Sequence, residues 1–83
     1  MAIQSAQATF NGAQPLDGDT PYVDITWTSA YTTTTAYRVA HGVNVTDSGG
    51  PIAVNFKTKT TTGIRVLVSD QFTGTVEIVA YDV

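Results

Sequence analysis

Cysteine is absent from the 83 residues. No disulfide can staple the chain, and a Cys/His zinc site is excluded with it. Basic residues are scarce too: Arg38, Lys57, Lys59 and Arg65 stand against seven acidic ones, a formal charge of −3. Nucleic-acid binding draws on clustered Lys and Arg that displace counterions, so that class of partner is excluded. Charged residues make up 13% of the chain, about half the usual share. No apolar run approaches membrane-spanning length. The opening residues Met1–Ser5 carry neither a basic nor an apolar stretch, so neither a secretion signal nor membrane insertion is expected. No segment has a helical period.

What is present is β-type sequence. Threonine takes over the polar role of the missing charges, keeping a surface wet while its branched Cβ favours extended backbone. Ile3 to Phe10 sets Ala6, Ala8 and Phe10 on one side and Ser5, Gln7 and Thr9 on the other. This weak apolar face predicts an edge strand over residues 1–12, or an arm laid on a partner. Asn11-Gly12 is a turn, and Gln14 to Pro21 is loop by composition. Tyr22 to Thr28 alternates, with Val23, Ile25 and Trp27 on the core side. Tyr31-Thr32-Thr33-Thr34-Thr35 is read as a connector.

From Tyr37 to Thr46, Tyr37, Val39, His41, Val43 and Val45 fall in step, with Gly42 predicted to mark a bulge or kink. Asp47 to Pro51 is a strong turn, after which Ile52, Val54 and Phe56 restart the alternation, so residues 37–58 are expected to form a hairpin. A second hairpin is expected between Gly63–Ser69 and Thr75–Asp82, joined by Asp70–Gly74. The pattern as a whole predicts an all-β chain: one small antiparallel β-sandwich of about six strands, spanning residues 1–83. A domain this small has a thin core, and with no disulfide to help, association with further copies is its expected source of extra stability.

Catalytic chemistry is not expected. His41 is the one imidazole, and Ser5, Ser29, Ser48 and Ser69 lack a nucleophile-elbow context. The carboxylates are dispersed and mostly at turns, where Asp bonds its own backbone. Asp17-Gly18-Asp19 lacks the further oxygen ligands and the closing Glu of a calcium loop, so no metal or other cofactor is expected. Asn44-Val45-Thr46 matches a glycosylation acceptor but is read as strand and turn onset. Trp27 belongs with the core. Tyr22, Tyr31, Tyr37 and Phe72 lie at strand ends or loops, placed to meet a ligand or partner. Tyr31, Tyr37 and Phe72 are the expected contacts, together with Arg38 and His41, while Phe72 could instead fold back to plug the core. A His41 facing its own symmetry copies would make assembly sensitive to mild acid.

Phe10, Pro21-Tyr22-Val23-Asp24-Ile25, Asn44-Val45-Thr46, Thr60-Thr61-Thr62-Gly63-Ile64-Arg65-Val66 and Gly74-Thr75-Val76-Glu77-Ile78-Val79-Ala80-Tyr81, in that order, resemble the H-type lectin-like modules. Similar small sandwiches occur in bacteriophage tail fibres and other virion surface proteins. The resemblance implies a six-stranded sandwich assembled as a trimer, or as stacked trimers, on a virus particle built in the host cytoplasm. It implies a tail-fibre or spike adhesion component that meets other virion proteins and a host surface glycan. A capsid decoration protein and a free-standing lectin are the alternatives. The family often places an aromatic residue near the start of its last strand, where Glu77-Ile78-Val79 stands here.

Overall fold

A computed structural model describes residues 3–47 and 50–82. The first two residues of the expected arm and Ser48-Gly49 of the expected turn lie outside the described residues. The described chain is all strand and connector: β1 (Ile3–Asn11), β2 (Leu16–Asp17), β3 (Thr20–Thr26), β4 (Tyr37–Val45), β5 (Val54–Lys57), β6 (Gly63–Val68) and β7 (Thr73–Asp82). They form two antiparallel sheets, one ordered β1-β7-β4 and the other β2-β3-β6-β5. The two-residue β2 falls inside the stretch read as loop. It pairs with β3 across a turn where Gly18 adopts φ +65°, a conformation glycine takes without steric cost.

Both expected hairpins are replaced by crossings between the sheets. β6 and β7 are the central strands of opposite sheets, and β4 and β5 likewise belong to different ones. The hydrophobic pattern explains why. Ile64, Val66 and Val68 form one apolar row and Val76, Ile78 and Ala80 another, all at most 4% exposed. A hairpin would set both rows side by side on one sheet face with nothing opposite. Crossing between sheets lets each row cover the other, which is what buries apolar area. Arg65 and Glu77, which such a hairpin would set on one outer side, consequently lie on outer faces of different sheets.

The connector that crosses carries its own plug. Phe72 is 1% exposed and stacks on Phe10 with ring centroids 5.0 Å apart. The side chain of Gln71 is tied at both ends to Gln14, accepting from the backbone N–H and donating to the carbonyl. At Gly74 a Cβ would stand 2.1 Å from the Asn44 carbonyl oxygen, so the close approach of β4 to β7 there requires glycine.

Three rings fill the opposite end. Tyr31 and Tyr37 stack at 4.3 Å, and the Trp27 ring stands edge-on to both. The Tyr37 hydroxyl donates to the Thr60 carbonyl at 2.6 Å and approaches that of Gly63 at 3.2 Å. Lys59 donates to the Tyr37 carbonyl and lies over its ring at 4.4 Å. This single residue thereby ties the start of β4 to the turn before β6. Tyr37→Phe keeps the ring and strands the Thr60 carbonyl. The expected loss is about 1–3 kcal/mol, measured as a lowered urea midpoint with an unchanged slope.

Candidate functional site: an open sandwich edge

The two long margins of the sandwich differ. On one, β1 packs across onto β3, with Ala8 and Phe10 at most 1% exposed. The Gln4 side chain closes that margin by accepting from the Ser29 N–H and donating to its carbonyl. β1 is thus an edge strand paired with β7 from Ile3 to Asn11, the first of the two readings given to this segment.

The other margin is formed by β4 and β5, and among the described residues it stays open. In the β4–β7 ladder Val39 lies opposite Ala80, His41 opposite Ile78 and Val43 opposite Val76. Directly opposed residues share a face, so all three β4 side chains point toward the sandwich interior. The β7 partners are fully buried, yet Val43 is 37% exposed and His41 is exposed while Val39 is only half-buried. β5 is four residues long and cannot roof a nine-residue strand. The bridge across the gap is His41 edge-on to Phe56, with centroids 5.4 Å apart. Val54 and Phe56 are themselves half-buried. The result is an apolar furrow with an imidazole at its middle.

A second cluster lies on the outer face of the four-stranded sheet. Arg65 grips the Asp24 carboxylate with Nε at 2.8 Å and a second nitrogen at 3.1 Å, and reaches Asp17 at 3.1 Å. Lys57 bonds both Asp17 oxygens, and the Arg65 guanidinium stacks on the Tyr22 ring at 3.9 Å. Hydrogen bonds from Lys57 and then Arg65 hold the Asp17 carboxyl below its ordinary value, and Arg65 does the same for Asp24. The two carboxylates in turn raise the Arg65 pKa. Opposite charges at matched distances make this a brace across β2, β3, β6 and β5. Beside it a shallow cleft of about 330 Å³, lined by Leu67, Val68, Asn55 and Thr20 among others, holds no acid, base or imidazole to perform chemistry.

The expected contact residues separate accordingly. His41 and Arg38 are exposed, on opposite faces of β4. Tyr31, Tyr37 and Phe72 are corrected to core residues, 7%, 0% and 1% exposed, as Trp27 is at 5%. Their positions near strand ends place them at the two ends of the core, where rings seal what the short strands cannot. Phe72 takes the plugging role that was its alternative. Gly42 is neither bulge nor kink: the β4–β7 ladder runs without a break from Tyr37 opposite Asp82 to Val45 opposite Gly74. Sequence reading did not foresee the Asp17–Arg65–Asp24 brace: Asp17 fell in a stretch read as loop, and the strand order that brings it to Arg65 leaves no local signal.

No protein-family model, no curated protein and no solved structure matches this chain.

The brace sets a pH dependence with a definite sign. Asp17 and Asp24 ionise more readily folded than unfolded, so their contribution is fully present above the unfolded carboxylate value near 3.8. It is lost as pH falls through the lower folded values. Both groups are screened by solvent, so the effect is shallow. Denaturant midpoints should fall below about pH 4, and Arg65→Gln should flatten that fall while lowering the neutral-pH midpoint slightly.

Proposed function

We propose that this chain is a non-enzymatic structural module of a bacteriophage virion surface that works as an assembly of identical copies, on a tail fibre or spike. The observation that carries the self-association is the open margin. Inward-facing Val39, His41 and Val43 are only partly covered by the short β5 of their own sandwich, and a small domain without cross-links gains most from a neighbour that completes the cover. The viral placement draws on the resemblance of the strand openers and closing strand. Repeated display of one module multiplies weak contacts without any single strong site.

Burial of the rings favours a second reading, decoration of the phage head. Sugar recognition stacks an exposed ring on the pyranose face, and Tyr31, Tyr37 and Phe72 are enclosed while Tyr22 has Arg65 over one face. A module that clamps shell subunits has no need of a ring platform. Loss of head stability when the protein is removed supports decoration, whereas glycan-array binding by the assembled module supports adhesion.

Association is testable directly. Light scattering at micromolar concentration should give a multiple of the 8.8 kDa chain mass. Val43→Asp, at the most exposed apolar position of the inner row, should shift the equilibrium to monomer at a cost in monomer stability of about 1–2 kcal/mol, with a cooperative urea transition retained. A monomeric parent chain would contradict the reading.

A further inference from the structure

Gly42 has no purpose inside its own chain. It sits mid-strand in an unbroken ladder, its φ is not left-handed, and a Cβ added there would meet nothing within 4 Å. Glycine weakens a strand, and inside one it commonly marks the close approach of another backbone. Among the described residues no other backbone comes near its open side. β4 is also the outer strand of its sheet, and it lacks the usual guards of an edge. Between Val39 and Val45 there is no Lys, no Pro and no bulge.

The backbone groups that β4 offers follow from the ladder. Thr46 donates to the Thr73 carbonyl, and bonding alternates residue by residue in an antiparallel pair. Even-numbered residues of β4 therefore bond β7, and the odd-numbered ones aim N–H and C=O out of the sheet. The position of Lys59 agrees, since its ammonium takes the outward carbonyl of Tyr37. That cap leaves Val39, His41, Val43 and Val45 as the outward set, and its midpoint is Gly42.

We propose that β4 pairs antiparallel with β4 of a second copy across a twofold axis at Gly42. The inference rests on the self-association reading and adds its geometry. Val39 then bonds Val45 of the other copy and His41 bonds Val43, so every outward group finds a partner. The apolar inner row continues from one copy into the next, so the two furrows join side by side across the axis and Val39, His41 and Val43 gain apolar neighbours along the sheet. On the outer face Ala40 meets Asn44, and the two Gly42 residues cross in a non-hydrogen-bonded pair, the closer type, with Cα atoms about 4.5 Å apart. No like charges are opposed. The other three edges lack this combination: the inner row of β1 is already covered, with Ala8 and Phe10 at most 1% exposed, while β2 and β5 are short and carry Asp17 and Lys57. Because the contact is twofold, it meets the threefold order implied by the resemblance only as the link between two stacked trimers.

Cysteine replacement tests the register, because the chain has no cysteine of its own. The Gly42 pair distance lies within the span of a disulfide, and the added side chain enters open space. Under mild oxidation Gly42→Cys should cross-link to covalent dimers in high yield. Ala40→Cys and Asn44→Cys should each stay uncross-linked alone and join when mixed. The parent chain should have a mass of two copies or an even multiple. A three-copy mass with Gly42→Cys cross-linking no faster than Ala40→Cys would overturn the twofold contact and leave self-association standing. A monomeric parent chain would remove both.

Discussion

The structure depends on one burial: the apolar row of β6 against the apolar row of β7, across the gap between sheets. Each is the most enclosed strand of its sheet, and every other strand is placed by pairing with one of them or, for β2, with a neighbour of β6. At about 25 cal/mol per Å² of apolar surface, this interface is the largest favourable contribution such a short chain can make. The connector between the two strands must therefore cross the sandwich, and Phe72 on Phe10 seals the end where it does so. The glycine at 63 serves the same arrangement, since a Cβ there would stand 2.2 Å from the Ile25 carbonyl oxygen and push β3 off β6.

From that centre the sandwich closes on one side and fails to close on the other. Gln4 and β3 complete the β1 margin. Opposite, β5 is too short to cover β4, and the furrow with His41 and Phe56 remains. The asymmetry is what links fold to function in this account. The least finished face of the sandwich is the one where apolar side chains and outward backbone groups coincide, and the proposed self-association places a second copy there. The charged brace on the outer sheet face has the opposite character, because each charge already has its partner.

Strand positions were legible in the sequence because alternation is a local signal: Val23 with Ile25, Val39 with Val43, Val76 with Ile78 each name a face. Which strand pairs with which was not, because a hairpin and a crossing share the same local pattern. Asp70–Gly74 has the composition of a hairpin turn and spans the sandwich instead. Site residues failed for a related reason. Tyr37 and Phe72 stand at strand ends, where sequence suggests exposure, but in a sandwich this small the ends are where rings must seal the core. His41 was legible as a surface residue of a strand. Its place on the inner side of an uncovered edge needed the register with β7 to be seen.

Amide hydrogen exchange, residue by residue and at two protein concentrations, tests the unfinished edge most directly. The account predicts that the outward N–H groups of Val39, His41, Val43 and Val45 exchange freely in dilute solution and become protected as concentration rises, while those of Ile78 and Val76 are protected throughout. Equal exchange of the four β4 amides at both concentrations, with no gain in protection, would contradict it.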